Sequence, residues 1–235
     1  MTANNFVNMK KIIIEENLDN VKDILEISRE ENLENKNYIR LIDANTGRVL
    51  INRKHNIITH RGRTFALEKL YGDTNNLNSY SIKNLNRSIN LFSVGDGGCP
   101  QGDPFSPILP SPLDLQLANK VPFQNKVAGD NGDNGVDTDK YPVTPSTESG
   151  RDLYYYKRFN ILDPEWFIDR PTNTVYKKLD LIVDITDCRN EYVNELGLFF
   201  STSTFTQLEM YSRVTFPTES ITGSKRILVE YYTFA

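Results

Sequence analysis

The chain has 235 residues, a net charge of −4 and 38% hydrophobic residues, enough apolar material for a sizeable core in one large or two small domains. The longest aliphatic run, Ile12-Ile13-Ile14, is followed at once by Glu15 and Glu16, which excludes a membrane-spanning helix and a signal-peptide core. The acidic balance speaks against a general nucleic-acid coat, and two cysteines (Cys99, Cys188) with two histidines (His55, His60) exclude a disulfide scaffold and a cysteine zinc site. What composition leaves is a soluble protein assembled in the cytosol.

The first forty residues hold no Gly or Pro and are rich in Asn, Glu and Lys. Ile14, Leu18, Val21 and Leu25 recur at the spacing of one helical face, widened by Ile24 and Ile27. An isolated helix of this length is marginal in water, so the 1–37 arm needs a surface, either its own domain or another subunit.

From Tyr38 the rhythm becomes that of strands. Residues 38–42 and 48–51 flank Asp43-Ala44-Asn45-Thr46-Gly47, a hairpin signal, and 56–59 continue the second strand or begin a third. Residues 61–72 read as a short amphipathic helix with Phe65, Leu67 and Leu70 buried and Gly72 as its stop. The one basic cluster, Arg48, Arg53, Lys54, Arg61 and Arg63, spans this stretch, as a solvated face, a partner to acidic surface or a phosphate contact.

Leu91-Phe92-Ser93-Val94 forms a strand core running into Gly95-Asp96-Gly97-Gly98. That turn lacks the Lys and Ser/Thr of a phosphate loop, and prolines rather than a helix follow it. Eight of the eleven prolines (Pro100, Pro104, Pro107, Pro110, Pro112, Pro122, Pro142, Pro145) fall in 99–150, so regular structure is not expected there. A loop so long in a compact domain reads as an interaction element or as a disordered segment. Its tip, Asp130, Asp133, Asp137 and Asp139, fits no EF-hand register, which leaves a looser cation site or a solvated tip. β character resumes at 153–159 and recurs at 174–178, 179–185, 196–200, 210–216 and 227–234. The fold class expected is therefore mainly β, an antiparallel sandwich or barrel-like body over 38–235 with an N-terminal helical arm, one short helix and the long loop.

Catalytic patterns are sparse. No Gly-x-Ser-x-Gly motif occurs, Cys99 has no nucleophile context, and the pair Glu191 and Glu195 is the remaining candidate for acid–base work on a glycoside. Glu195 stands either at a strand end or opposite a cation such as Arg213.

Asn194-Glu195-Leu196-Gly197-Leu198-Phe199-Phe200, then Arg213-Val214-Thr215-Phe216-Pro217 and the closing strand 227–234, resemble a module of tailed-bacteriophage virion structural proteins of the baseplate and tail-fibre type. Ile58-Thr59-His60-Arg61-Gly62-Arg63 and Leu91-Phe92-Ser93-Val94-Gly95-Asp96-Gly97-Gly98 are similar to the upstream part of that group. The resemblance covers 56–100 and 190–235. It implies a non-enzymatic virion component of tail or baseplate, assembled in the host bacterial cytoplasm, with no cofactor and no resident metal. Its partners would be other virion proteins and copies of itself, through Ile14, Leu18, Val21 and Leu25 of the arm and Phe105, Ile108, Leu109, Leu113 and Leu115 of the loop. The alternatives are a neck protein joining head to tail, whose basic hairpin would face DNA, and a carbohydrate-binding module using Trp166, Tyr154 or Tyr156.

Overall fold

The computed structural model describes residues 37–71, 87–128, 135–159, 165–169, 174–222 and 225–234. The arm residues Ile14, Leu18, Val21 and Leu25 lie outside the described residues, as does Gly72. The body is mainly β, an open sandwich-like arrangement without a closed barrel. Fourteen strands and one helix are described.

One sheet contains β1 (Tyr38–Asp43), β2 (Val49–His55), β10 (Glu165–Asp169), β11 (Thr174–Val183) and β14 (Ile227–Phe234), in the order β10-β11-β14-β1-β2. The facing sheet has the order β3-β13-β12-β4-β5. Its members are β3 (Ile57–Ile58), β4 (Arg87–Gly95), β5 (Lys120–Val121), β12 (Glu191–Thr202) and β13 (Glu209–Ile221), with β9 (Lys157–Arg158) also on β4. A small third sheet joins β6 (Gln124–Val127), β8 (Arg151–Tyr154) and β7 (Ser146–Glu148). All pairings described are antiparallel.

Period-two patterning makes the core. Ile39 and Leu41, Leu181 and Val183, and Ile227, Val229 and Tyr231 project from the first sheet onto Phe92, Val94, Leu196, Leu198, Val214 and Phe216 of the second. The other face of the second sheet carries a smaller cluster of Leu91, Phe199 and Met210, and Leu117 from the long loop completes it. That loop therefore forms part of a third layer.

The expected hairpin is β1–β2. Asp43 accepts the amides of Asn45 and Gly47, and Gly47 sits at φ 71°, where a side chain would be strained. The helix α1 (His60–Tyr71) is capped by Thr59, whose Oγ1 accepts the Gly62 amide at 3.0 Å. Gly62 lets the helix touch β13, since a Cβ there would stand 2.1 Å from the Tyr211 carbonyl oxygen. Phe65 is buried and stacks on Phe200 at 4.4 Å, but Leu67 is exposed, contrary to the expected buried trio. Two residues are about 200° of helix rotation, so Phe65 and Leu67 cannot face one sheet together. The Leu70 side chain lies outside the described part. No helix among the described residues is long and apolar enough to cross a membrane.

Two further expectations are corrected. Residues 174–185 hold one ten-residue strand rather than two. The 99–150 stretch is not wholly irregular, for β5, β6 and β7 lie within it and Leu117, Val121, Phe123 and Tyr141 are buried. Short apolar residues scattered between prolines supply single core contacts without any periodic signal.

Candidate functional site

The motifs at 95–98, 194–197 and 213–217 converge on one carboxylate. Glu195 lies fully buried in β12, and its Oε1 accepts the Asn119 amide at 2.9 Å and the Gly97 amide at 3.3 Å. Its Oε2 accepts the Ala118 amide at 3.2 Å, and Arg213 Nε and Nη2 at 2.9 and 2.6 Å. Arg213 donates its remaining arm to Asp114 Oδ2 at 2.7 Å. Burial acts to lower the Arg213 pKa, but the hydrogen bonds and charges of Asp114 and Glu195 outweigh it and hold the guanidinium more firmly protonated. Beside this clamp Asn194 accepts the Gly98 amide at 2.6 Å and donates to Thr218 Oγ1 at 3.1 Å. The glycines are needed for approach, because a Cβ on Gly98 would lie 2.2 Å from the Asn194 carbonyl oxygen. Gly197 is packed by side chains, with Phe199, Leu117 and Met210 within 3.0–3.3 Å of a Cβ placed there.

Chemically the clamp is saturated. Glu195 accepts from five donors, which tie its carboxylate into the fold as a structural anchor. Glu191 is exposed, and four residues along a strand separate the pair by about 13 Å, beyond the ~5–9.5 Å range of glycosidase carboxylates.

A second knot forms around Lys157 of β9, which pairs with β4 at Phe92. Lys157 donates to Asp187 Oδ2 at 2.5 Å, to the Ile182 carbonyl at 2.6 Å and to Asp184 at 3.4 Å. Lys140 reaches Asp184 at 2.5 Å, and the Tyr141 hydroxyl donates to Asp187. Burial pulls the Lys157 pKa down against its two carboxylates, while burial and the Asp187 contact push Tyr141 far up. Every charge here faces an opposite one.

Next to the Glu195 clamp opens a cleft of about 390 Å³ lined by Asp96, Cys99, Gln101, Asn119, Asn194 and Thr218. Its polar groups engage one another. Asn119 donates to Asp96 at 2.6 Å, Asn194 to Thr218, and the Cys99 thiol to the Phe216 carbonyl at 3.4 Å.

The long loop is where uncovered surface collects. Leaving the cleft, it runs along the outer edge of β13, which β3 pairs only at Ser212 and Arg213. The Pro104 carbonyl accepts the Thr218 amide at 2.8 Å and the Ile108 carbonyl accepts Thr215 Oγ1 at 2.6 Å. The Pro112 carbonyl takes the His60 amide at 2.8 Å, and Asp114 meets Arg213. With its backbone so held, the loop turns Phe105 (76% exposed), Ile108 (47%), Leu109 (85%), Leu113 (70%) and Leu115 (60%) outward. The structure thus brings the loop residues predicted as interface onto one fixed segment.

The remaining candidates are dispersed. Asp130 and Asp133 lie outside the described residues; Asp137 accepts the amides of Asp139 and Lys140, and no group of three or more His, Cys, Asp or Glu among the described residues is placed to hold a metal. In the basic cluster, Arg61 pairs with Glu209 at 2.9 Å and Arg53 covers the Tyr38 ring at 4.6 Å. Tyr154 and Tyr156 are half-buried against Tyr141 and Phe199, and the Trp166 side chain lies outside the described part. Exposed Ile168 and Val175, a cross-strand pair of β10 and β11, escape sequence reasoning because buried and exposed apolar residues look alike in a strand. Comparison with protein-family models, with curated proteins and with solved structures gives no match to this chain.

Proposed function

We propose that the chain is a non-enzymatic structural component of a tailed-phage virion, in the tail or baseplate, acting through protein–protein interfaces. The observation that carries this reading is the loop ridge from Phe105 to Leu115, whose apolar side chains stay in water while its backbone is fixed to β13. Exposed apolar surface of that size, held in place, serves contact with another protein better than it serves the isolated chain. The motif resemblance at 56–100 and 190–235 supplies the virion context, and the saturated Glu195 clamp supports a framework role for the motif residues. Assembly takes place in the host cytoplasm on this reading, with neighbouring virion proteins and further copies of the chain as partners.

The experiment is dissection of purified particles into heads and tails, followed by mass spectrometry of each fraction. The chain is expected with tails. Recovery with heads and necks moves it to the head-to-tail junction, where the Arg48, Arg53 and Lys54 hairpin would face DNA. Absence from both fractions overturns the proposal.

A further inference from the structure

We infer that the Phe105–Leu115 ridge is a homotypic contact, docking against the same ridge of a second copy of this chain. The inference rests on the ridge being a docking surface, as proposed above, and names its occupant. Residues 104–113, Pro-Phe-Ser-Pro-Ile-Leu-Pro-Ser-Pro-Leu, contain no ionisable side chain. Two identical surfaces related by a two-fold axis place like groups opposite like groups, so a charged patch repels its own copy whereas an uncharged apolar one does not. The ridge meets that condition from Phe105 to Leu113, and Asp114, which stands between Leu113 and Leu115, is held by Arg213 at 2.7 Å.

Area supports the same occupant. With about 150–200 Å² taken for each fully exposed side chain, the five exposed fractions amount to roughly 500–680 Å² per copy. Two ridges that cover each other completely bury about 1,000–1,350 Å², at the low end for a specific interface. Such a contact is weak between free chains and becomes strong when a symmetric assembly repeats it. Preorganisation helps, since the backbone bonds from Pro104, Ile108 and Pro112 to Thr218, Thr215 and His60 leave little chain entropy to lose.

The test is sedimentation equilibrium of the purified full chain over a wide concentration range. The wild type is expected to self-associate, and Leu109→Asp combined with Leu113→Asp is expected to weaken association by about tenfold or more, since each copy would then bury unpaired charge. Ile168→Asp, at the far edge of the first sheet, leaves association unchanged. A wild type that stays monomeric throughout overturns the inference, as does association that the double variant leaves intact. Should the double variant fail to fold, a photo-crosslinking residue at Leu109 replaces it: crosslinks from one ridge to the other are expected, and crosslinks elsewhere, or none, overturn the inference. Particle dissection tests the virion reading separately, so failure of either is told apart from failure of the other.

Discussion

Glu195 shows how one side chain fixes four segments. Its carboxylate gathers amides from the turn after β4 and from residues 118 and 119, together with both near arms of Arg213. Glu195→Gln keeps the shape but removes the charge, leaving Arg213 buried with Asp114 alone. The new amide group also faces donors, so the expected cost is about 1–3 kcal/mol by urea unfolding, whereas Glu191→Gln, exposed, changes stability by less than about 0.5 kcal/mol. Two buried tyrosines give a pH signature. Burial pushes Tyr231 up, and burial with the Asp187 contact pushes Tyr141 up. A phenol whose folded pKa is raised adds stability below its unfolded value of 10.0 and loses it as pH climbs above that value. Alkaline unfolding is therefore expected above about pH 10, with these two tyrosines ionising only as the chain unfolds. Phenolate absorbance that completes its rise while the fold is intact would contradict this.

At the scale of elements, legibility followed periodicity. The last strand was readable to the residue, 227–234, because β-branched and aromatic residues alternate along its whole length. β12 and β13 extend well past their expected apolar cores of 196–200 and 210–216, since polar residues such as Glu191, Tyr192 and Ser220 continue the pairing beyond the core. The Glu195–Arg213 pair was half visible: opposite charges on neighbouring strands could be named, but the three backbone donors come from segments about 75 to 100 residues away. The long loop was least readable. Leu115 and Leu117 are two positions apart and chemically identical, yet one is exposed and the other fills the gap over Leu91, Phe199 and Met210. In a proline-rich segment no period says which way a side chain turns. Substitution separates the two roles. Leu117→Ala is expected to cost about 2–5 kcal/mol through the cavity it leaves, while Leu109→Ala stays within about 0.5 kcal/mol. Equal effects in thermal unfolding would show the assignment of inner and outer residues to be wrong.

For the whole molecule, the loop answers a problem that open sandwiches share, the unpaired edge. β13 is thirteen residues long, β12 covers one side, and β3 covers only two residues of the other. Left bare, the rest would be a template for another strand. The Pro104 and Ile108 carbonyls occupy the Thr218 amide and the Thr215 hydroxyl at this edge. The prolines of the strap give it no continuous donor row of its own, so it caps the edge without extending the sheet. Backbone and side chains of one segment thus do different work, the first closing an edge inward and the second presenting apolar surface outward. Replacing residues 105–111 by a Gly-Ser linker of equal length removes the outward side chains and, by loosening the strap, bares the edge; it is expected to aggregate on mild warming, seen as light scattering. Replacing only Phe105, Leu109 and Leu113 by Ser keeps the prolines and the carbonyl contacts, and that variant is expected to stay soluble, with its melting temperature within a few degrees of wild type. If both variants remained equally soluble, the strap would have no protective role at β13. If both aggregated, the apolar side chains would be holding the loop in place rather than waiting for a partner.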